Sequence, residues 1–250
     1  MRSLEILGVR VDDAGYEDLL AHVDTFVSRG QPHQIVTLNV EMLVAARQDP
    51  ALAEILNASD LNVADSVGVI LAARLLGTSL KERVTGSDGI YRLAAHCAKT
   101  GYRPFFLGAG PGVAREAATR LEAANAGLQV AGCYGGSPHP EDEEEIIARV
   151  RAASPDLLLV AYGVPAEEIW IARNSRRLGV PVMIGVGGTF DFVAGVTMRA
   201  PVWMRRVGLE WLYRLLREPW RWKRQLALPR FVLLVLRQKI AQRRRHTSQG

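Results

Sequence analysis

Short apolar segments alternate with helical patterns along most of the chain, and this alternation restricts its fold more than any other feature. Six apolar segments have the pattern of strands, at residues 34–38, 61–65, 103–110, 128–134, 156–163 and 181–188. A helical pattern follows each of the first five. Strands that are apolar throughout are buried on both faces, as parallel strands are when crossover helices cover them. The sequence therefore predicts a Rossmann-like α/β fold, with a mostly parallel sheet, helices on both faces, and a small antiparallel ribbon at the N-terminus.

The chain divides by charge into a mildly acidic body and a strongly basic end. Residues 1–195 hold 17 lysines and arginines against 24 acidic residues, a net charge of −7. Residues 196–250 hold 14 lysines and arginines against two acidic residues, a net charge of +12. A basic segment of this kind favours an anionic partner, such as a membrane surface, a nucleic acid or a diphosphate. We therefore expect an α/β domain over 1–195 and a helical appendage over 196–250.

Composition argues against several classes of protein. The two cysteines, Cys97 and Cys133, are too few for a disulfide framework and suit a reducing compartment. The five histidines are scattered without metal-ligand spacing, so no zinc site is expected. No apolar run approaches the roughly 18 residues that a membrane span needs, and the first residues lack the apolar core of a signal peptide. We therefore expect a protein that stays in the cytoplasm.

Polar and glycine-rich residues follow the predicted strands, where open parallel sheets bind their ligands. They are Thr37, Asn39, Asp65, Gly108, Gly110, Gly112, Tyr134, Gly163, Gly187, Gly188 and Asp191. Gathered on one edge of the sheet, these residues would line one cleft. The turn at 108–112 lets backbone N–H groups approach a diphosphate, although a tight turn without a ligand explains the same glycines. No acidic residue for a dinucleotide ribose ends the next strand, so NAD is not favoured.

Asp65 is the candidate for proton transfer. A carboxylate at the end of a strand can accept a proton from an attacking hydroxyl, but the same position suits an N-cap for the helix that begins near residue 67. The spacing supports both roles equally. Capping explains Thr37 and Asn39 better than ligand binding does on pattern alone. Arg83 lies in a polar loop, where it can bind a phosphate or a sugar acid or remain solvated.

The basic end has the pattern of a helix that lies on a surface. Tryptophans alternate with arginines over residues 203–224, and leucines at helical spacing form an apolar stripe. Residues 228–245 predict a second amphipathic, basic helix. Arginines that face lipid phosphates and tryptophans at the headgroup level are typical of helices in a membrane interface. The alternative is a helix packed on the body with a solvated, charged face.

Seven blocks of sequence together resemble the bacterial WecG/TagA/CpsF family, glycosyltransferase family 26. They are VTLNVE (36–41), NVADSVG (62–68), RVTGSD (83–88), FFLGAGPGVA (105–114), GVPAEEIWI (163–171), GVGGTFDFVAG (185–195) and RAPVWMRRVGLEWLYRLLREPWRWKR (199–224). The blocks lie in family order and are jointly far more specific than any one motif. The resemblance implies an inverting transfer of N-acetylmannosamine, or a related sugar, from a UDP-sugar to a sugar on a polyprenyl diphosphate. The products serve cell-surface polysaccharides or teichoic acid linkage units.

The resemblance also implies roles for individual residues. Asp65 is the proposed base, and Thr37 and Asn39 line the acceptor side. Beyond the resemblance, we predict that Arg83 also binds the acceptor. We further predict that the nucleotide-sugar contacts Gly108, Gly110, Gly112, Tyr134, Gly163, Glu167, Gly187, Gly188 and Asp191, with Tyr134 and Asp191 at the nucleoside. The appendage is expected to touch the membrane and close over the active site, with phosphate-binding arginines at Arg214, Arg221 and Arg224. The family works without a bound metal, which agrees with the missing D-x-D pair, so no cofactor is expected.

Two positions depart from the family pattern. Ser66 stands where the family usually has glycine after the aspartate. Glu167 stands where the family usually has glutamine, so the chain loses an amide donor and gains a negative charge near the cleft. We expect this change to affect the donor sugar more than the type of reaction, and to favour a neutral sugar over a uronic acid.

The sequence therefore predicts a glycosyltransferase that is peripheral on the inner face of the plasma membrane. The expected partners are a UDP-sugar, a polyprenyl-diphosphate-linked glycan and an anionic membrane surface. Nucleic acid is not expected, because no known nucleic-acid module is present. Two alternatives remain: a non-catalytic nucleotide-binding scaffold on the membrane, and a nucleic-acid binder that uses the basic tail. A homo-oligomer is also compatible with the sequence.

Overall fold

A six-stranded parallel sheet forms the centre of the protein, as seen in a computed structural model that describes residues 1–206, 208–219 and 222–247. Its strands are β3 (His33–Leu38), β4 (Leu61–Ala64), β5 (Pro104–Gly108), β6 (Gly132–Tyr134), β7 (Leu157–Ala161) and β8 (Val182–Gly185). They lie in the order β4-β3-β8-β7-β5-β6, and every neighbouring pair is parallel. β1 (Ser3–Ile6) and β2 (Val9–Asp12) form a separate antiparallel ribbon. The predicted α/β class is confirmed.

Helices cover both faces of the sheet and form the basic end of the chain. They are α1 (Tyr16–Arg29), α2 (Val40–Ala46), α3 (Pro50–Ala58), α4 (Val67–Leu75), α5 (Gly86–Thr100), α6 (Val113–Ala124), α7 (Glu143–Ala153), α8 (Ala166–Leu178), α9 (Thr189–Val193), α10 (Val202–Arg206), α11 (Glu210–Arg217), α12 (Trp222–Gln225) and α13 (Ala227–Thr247). A 3-10 turn, Pro140–Asp142, precedes α7.

The strands are mostly apolar because each face of the sheet is buried against a different set of helices. In β3, Ile35 packs in the core formed with α1, α5, α6 and α9. Val36 and Leu38 point the other way, into the core formed with α2, α3 and α4. Successive side chains of a strand alternate between faces, so a strand buried on both sides carries apolar residues on both. The polar residues Gln34 and Thr37 of β3 are buried as well, and each makes a side-chain hydrogen bond.

The structure differs from the sequence prediction most at the edge of the sheet. The predicted strand at 128–134 is ordered as a strand only over Gly132–Tyr134. β6 is the outermost strand and pairs on one side only, along Phe105–Leu107 of β5. Three helices, α1, α3 and α9, were not predicted; the N-caps of α1 and α3 are Gly15 and Asp49.

The basic end contains two structurally different parts. α13 packs on the body, where Phe231 and Val235 are only 4% and 2% exposed within the core shared with α2 and α4. The side-chain amide of Gln238 donates to the carbonyl of Glu5, and its oxygen accepts from the N–H of Leu7 at the ribbon. By contrast, α11 and α12 bury no residue. None of the helices within the described ranges is long and apolar enough to cross a membrane.

Candidate active site

A cavity of about 910 Å³ opens at the carboxyl ends of β4, β3, β8 and β7. The turns that follow these strands form one side, and α11, α12 and the start of α13 form the other. The site residues predicted from sequence that line it are Thr37, Asn39, Asp65, Arg83, Gly163, Glu167, Gly187, Gly188, Asp191, Arg214 and Arg224. The fold thus places parts of the body and of the basic end around one space, at the edge where parallel sheets bind ligands.

Asp65 immediately follows β4, and its side chain borders the cavity. Its backbone N–H donates to the carbonyl of Leu38 (2.8 Å), which fixes the residue against the end of β3. Burial raises the pKa of Asp65 to about 7, although the charge of Arg83 and the backbone N–H of Gly86 lower it. A carboxyl group with a pKa near neutrality is suited to a general base, because about half of it is ionised at neutral pH and the carboxylate is basic enough to take a proton.

The alternative role of Asp65, as a helix cap, is not what the structure shows. The N-cap residue of α4 is Ser66, and no side chain makes a capping hydrogen bond there. The Ser66 hydroxyl is buried and finds no hydrogen-bond partner among the described residues. The carboxyl group of Asp65 is therefore not used by the helix and remains available to the cavity.

Arg83 connects the site to the basic end. Its guanidinium donates to the carbonyl of Arg205 in α10 (3.2 Å), and its charge acts on Asp65 at the same time. Arg83 is predicted to bind the acceptor, and its position at the cavity wall is compatible with that role.

A cluster of ion pairs lies next to Arg83. Arg199 forms a 2.7 Å ion pair with Asp88 and donates to the Ser87 hydroxyl (3.0 Å). Glu210 of α11 approaches the same guanidinium at 3.5 Å. The cluster joins the first turn of α5 to the basic end. Sequence reasoning missed it, because residues more than 100 positions apart carry no local sign of pairing; the only signal was that Asp88 and Arg199 lie in two family blocks.

Thr37 and Asn39 have structural roles and also line the cavity. The Thr37 hydroxyl donates to the carbonyl of Gly185 (3.2 Å), which ties β3 to β8. The Asn39 side-chain oxygen accepts from the N–H of Met42 (3.0 Å), so it caps α2 as the pattern suggested. Both residues sit at the cavity wall, so capping and ligand contact do not exclude each other here.

Glu167 holds two glycine turns together beneath the cavity. Its carboxyl group accepts from the N–H of Gly163 (2.9 Å) and from the N–H of Gly187 (3.0 Å). The side chain is 1% exposed, and the neighbouring Glu168 is fully buried. Burial raises the pKa of Glu167 well above its usual range, and the charge of Glu168 raises it further. A neutral, protonated carboxyl group is close in shape and hydrogen bonding to the glutamine that the family usually has here.

The structure separates β5 and β6 from the cavity. Gly108, Gly110, Gly112 and Tyr134 are not among its lining residues, because these two strands lie at the far end of the sheet from β4. An added Cβ at Gly108 would lie 2.7 Å from the carbonyl oxygen of Ala161, so close packing of β5 on β7 requires this glycine. The expectation that every strand end lines one cleft is corrected for these two strands.

Tyr134 instead borders a second cavity of about 500 Å³ at the sheet edge. The guanidinium carbon of Arg149 lies 4.4 Å from the centroid of its ring. This cavity is lined by α6, α7 and the outer strands. The assignment of Tyr134 and of the glycines at 108–112 to the nucleotide-sugar stays a prediction, and it now requires a ligand that reaches beyond the main cavity.

Two of the three predicted phosphate-binding arginines line the cavity, and Arg221 lies outside the described residues. The guanidinium carbon of Arg214 lies 4.9 Å from the ring centroid of Phe192, a residue that sequence reasoning did not single out. Arg224 pairs with Glu41 of α2 (2.8 Å), which bridges the basic end to the body. Both arginines therefore bring positive charge to the side of the cavity that faces Asp65.

Comparison with known proteins agrees with this architecture. The model of the glycosyl transferase WecG/TagA/CpsF family matches residues 4–245. The chain belongs to this family. Relatives include two N-acetylglucosaminyldiphosphoundecaprenol N-acetyl-beta-D-mannosaminyltransferases. The one from Bacillus spizizenii (strain W23) is 32% identical over 235 residues, 94% of this chain and 91% of the relative. The one from Bacillus subtilis (strain 168) is 34% identical over 205 residues, 82% of this chain and 79% of the relative.

Membership identifies the chain as a glycosyltransferase, so the alternative of a non-catalytic scaffold is set aside. The family match extends through the flanking helices to α13, so the basic end belongs to the family fold and is not an unrelated extension. The candidate site can therefore be considered as a sugar-transfer site.

Proposed function

We propose that this chain transfers N-acetylmannosamine from UDP-N-acetylmannosamine to N-acetylglucosamine carried on a polyprenyl diphosphate. The names of both Bacillus relatives give this transferred sugar and this acceptor. The observation that carries the proposal is the position of Asp65, a carboxyl group with a pKa of about 7 in a cavity also bordered by arginines. This combination suits a reaction that removes a proton from one substrate and releases a diphosphate from the other.

Asp65 takes the proton of the acceptor hydroxyl as that oxygen forms a bond to the anomeric carbon of the donor sugar. The bond between the anomeric carbon and the β-phosphate oxygen breaks on the opposite face. UDP leaves with that electron pair, and the single displacement inverts the configuration. The proton on Asp65 then passes to solvent, which resets the base.

Arginines of the basic end stabilise the leaving UDP. Negative charge develops on the β-phosphate as the bond breaks, and charge-assisted hydrogen bonds from guanidinium groups stabilise it most strongly in a water-poor site. Arg214 and Arg224 line the cavity, and Arg83 lies close to Asp65. Because these side chains supply positive charge, we propose that the reaction needs no metal ion; undiminished turnover in excess EDTA is the expected result.

The acceptor places the protein at a membrane. The basic end carries a net charge of +12, and it exposes large apolar side chains at Trp203, Leu216 and Trp222, which are 63%, 71% and 54% exposed. Cationic and aromatic side chains together suit the interface of an anionic bilayer. We propose peripheral association with the inner face of the plasma membrane, and flotation with anionic but not zwitterionic vesicles tests it.

UDP release with a panel of donors tests the function directly. The acceptor is a synthetic lipid diphosphate that carries N-acetylglucosamine, and each UDP-sugar is supplied separately. We expect acceptor-dependent UDP release to be fastest with UDP-N-acetylmannosamine, because the names of both relatives give this neutral sugar, and slower with the corresponding uronic acid donor. A preference for the uronic acid would contradict the specificity, and acceptor-independent release with every donor would contradict the transfer itself.

A further inference from the structure

The active-site cavity has a polar half and an apolar half. Asp65, Arg83 and Arg214 border the polar half, at the strand ends and α11. The apolar half is a furrow between α4 and α13. The residues that line the furrow are Val67, Leu71, Ala72, Leu75, Ala227, Leu228, Phe231, Val232 and Val235. The two halves belong to one continuous space, so a bound molecule can occupy both.

The furrow leads directly away from the base. α4 begins two residues after Asp65, and Val67, Leu71 and Leu75 follow at intervals of four. Residues four apart lie on one face of a helix, so these side chains form one row. At 1.5 Å per residue, the row from Val67 to Leu75 is about 12 Å long.

The furrow is apolar but uncovered. Leu71, Leu75 and Val232 are 54%, 41% and 55% exposed, although each borders the cavity. On α13, Leu236 and Ile240 follow Val232 at intervals of four residues and continue the apolar surface along that helix. They are 42% and 52% exposed. A contiguous exposed apolar surface of this kind marks a site of interaction rather than a packing position.

The polar half of the cavity is followed by the apolar furrow, and this arrangement indicates which kind of molecule binds there. An amphiphile that has a sugar at one end, a diphosphate in the middle and a hydrocarbon chain at the other end matches this order. With the sugar at Asp65, its chain would lie on α4 and α13. Gly208, with φ +77°, would place a Cβ only 2.6 Å from a methyl group of Val67, so the chain just before α11 also meets α4 where the furrow begins.

We propose that the furrow between α4 and α13 binds the first isoprene units of the acceptor, so that the protein recognises the lipid chain as well as the sugar diphosphate. This inference rests on the proposed function, since it deepens the recognition of the same acceptor. It makes Leu71, Leu75 and Val232 determinants of acceptor specificity.

The test uses acceptors with the same N-acetylglucosamine diphosphate and chains of one, two or three isoprene units. They are used below their micellar concentration and without vesicles. Binding to the full-length protein is measured by calorimetry, and UDP release is measured separately. We expect the Kd of the wild-type protein to fall about tenfold or more from one unit to three, because burial of apolar carbon favours binding.

Leu71→Ser and Val232→Ser are expected to weaken binding of the three-unit acceptor most, and so to remove the dependence of Kd on chain length. Leu233→Ser is the matched control, since Leu233 lies on the same helix and is 50% exposed but does not line the cavity. All three side chains are at least half exposed, so these variants are expected to fold, and thermal melting checks this.

Two outcomes would overturn the inference. One is a wild-type Kd that does not depend on chain length. The other is a loss of vesicle binding in Leu71→Ser and Val232→Ser while the dependence on chain length persists, which would show that the furrow inserts into the bilayer instead. Failure of the proposed function is separate: the acceptors would then bind with the expected dependence but release no UDP from any donor.

Discussion

The body of the protein and the flap, defined as α10 to α12 (residues 202–225), are held in place by different forces. The body is held by apolar packing on both faces of a parallel sheet, and α13 joins that packing through Phe231 and Val235. The flap buries almost no side chain; α11 and α12 bury none. Apolar packing is insensitive to salt and to small movements, whereas ion pairs at a surface are weak and screened.

Polar contacts connect the flap to the body at both of its ends. The Arg199 cluster with Asp88 holds the start, together with the bond from Arg83 to the carbonyl of Arg205. The ion pair between Arg224 and Glu41 holds the end. The comparison teaches that one stretch of basic sequence contains a flap held by polar contacts and a helix held by apolar packing. We therefore expect the flap to open more readily than α13, whose buried side chains keep the furrow in shape.

The largest effect is expected from Asp65→Asn. Loss of a general base typically reduces turnover by a factor of about 10² to 10⁴, so we expect a fall in kcat of that order with little change in UDP binding. Acceptor-dependent UDP release and UDP calorimetry provide the two measurements. Glu54→Gln, an exposed change on α3 far from the cavity, serves as the control. Normal turnover of the Asp65→Asn variant would show that Asp65 is not the base.

The next largest effect is on the stability of the fold, which we expect to depend on α13 far more than on the flap. Phe231→Ala removes a core side chain that is 4% exposed, and such truncations cost about 3–5 kcal/mol. Trp211→Ala removes a larger side chain that is 40% exposed in the flap, and we expect a change of less than about 1 kcal/mol. Urea denaturation of both variants measures the difference. Equal losses would contradict the division of the basic end into two parts.

An intermediate effect, on the rate of proteolysis of the flap, is expected when one of its polar contacts is removed. Arg199→Gln breaks the ion pair with Asp88, and we expect the flap to open more often without loss of the fold. Chymotrypsin, which cuts after the aromatic residues of the flap, should then cleave it several times faster, and high salt should have the same effect on the wild type. Arg217→Gln, on the exposed side of α11, is the control. Equal cleavage of wild type and Arg199→Gln would show that the cluster does not hold the flap.

The pH dependence of the reaction follows from the pKa of Asp65. The base must be ionised to accept a proton, so kcat/KM should rise about tenfold per pH unit below about 7 and level off above it. Stability should show the opposite trend. The folded pKa lies above the unfolded value, so the native state binds more protons and stability falls as the pH rises toward 7. A rate profile without an acid limb near 7 would argue against Asp65.

The smallest effect is expected from Glu167→Gln. The raised pKa of Glu167 means that the native state favours its neutral form, so stability is lost as the pH rises through that pKa. Glutamine keeps the shape and cannot ionise. We therefore expect the variant to gain stability over the wild type at pH 8.5 and to match it at pH 5, by thermal melting at both pH values. A variant that is less stable at both pH values would show that the carboxylate itself is needed.

The sequence determined the class of fold and the residues at the strand ends. Segments that are predominantly apolar, without alternation, predict strands buried on both faces, and the structure has a strand in each predicted segment. The rule that ligands bind at the carboxyl ends of parallel strands then drew attention to Asp65, Thr37 and Gly187, all of which line the cavity. These inferences succeed because the apolar pattern of a strand and the residues that directly follow it can both be read from consecutive positions in the sequence.

Only the tertiary structure decided which strand ends share the cavity. The order β4-β3-β8-β7-β5-β6 puts Gly108 and Tyr134 away from Asp65, and strand order depends on long-range pairing that local sequence does not encode. The same holds for the basic end. Both of its parts are basic and amphipathic, yet Phe231 is buried and Trp222 is exposed, because α13 lies against an apolar face of the body.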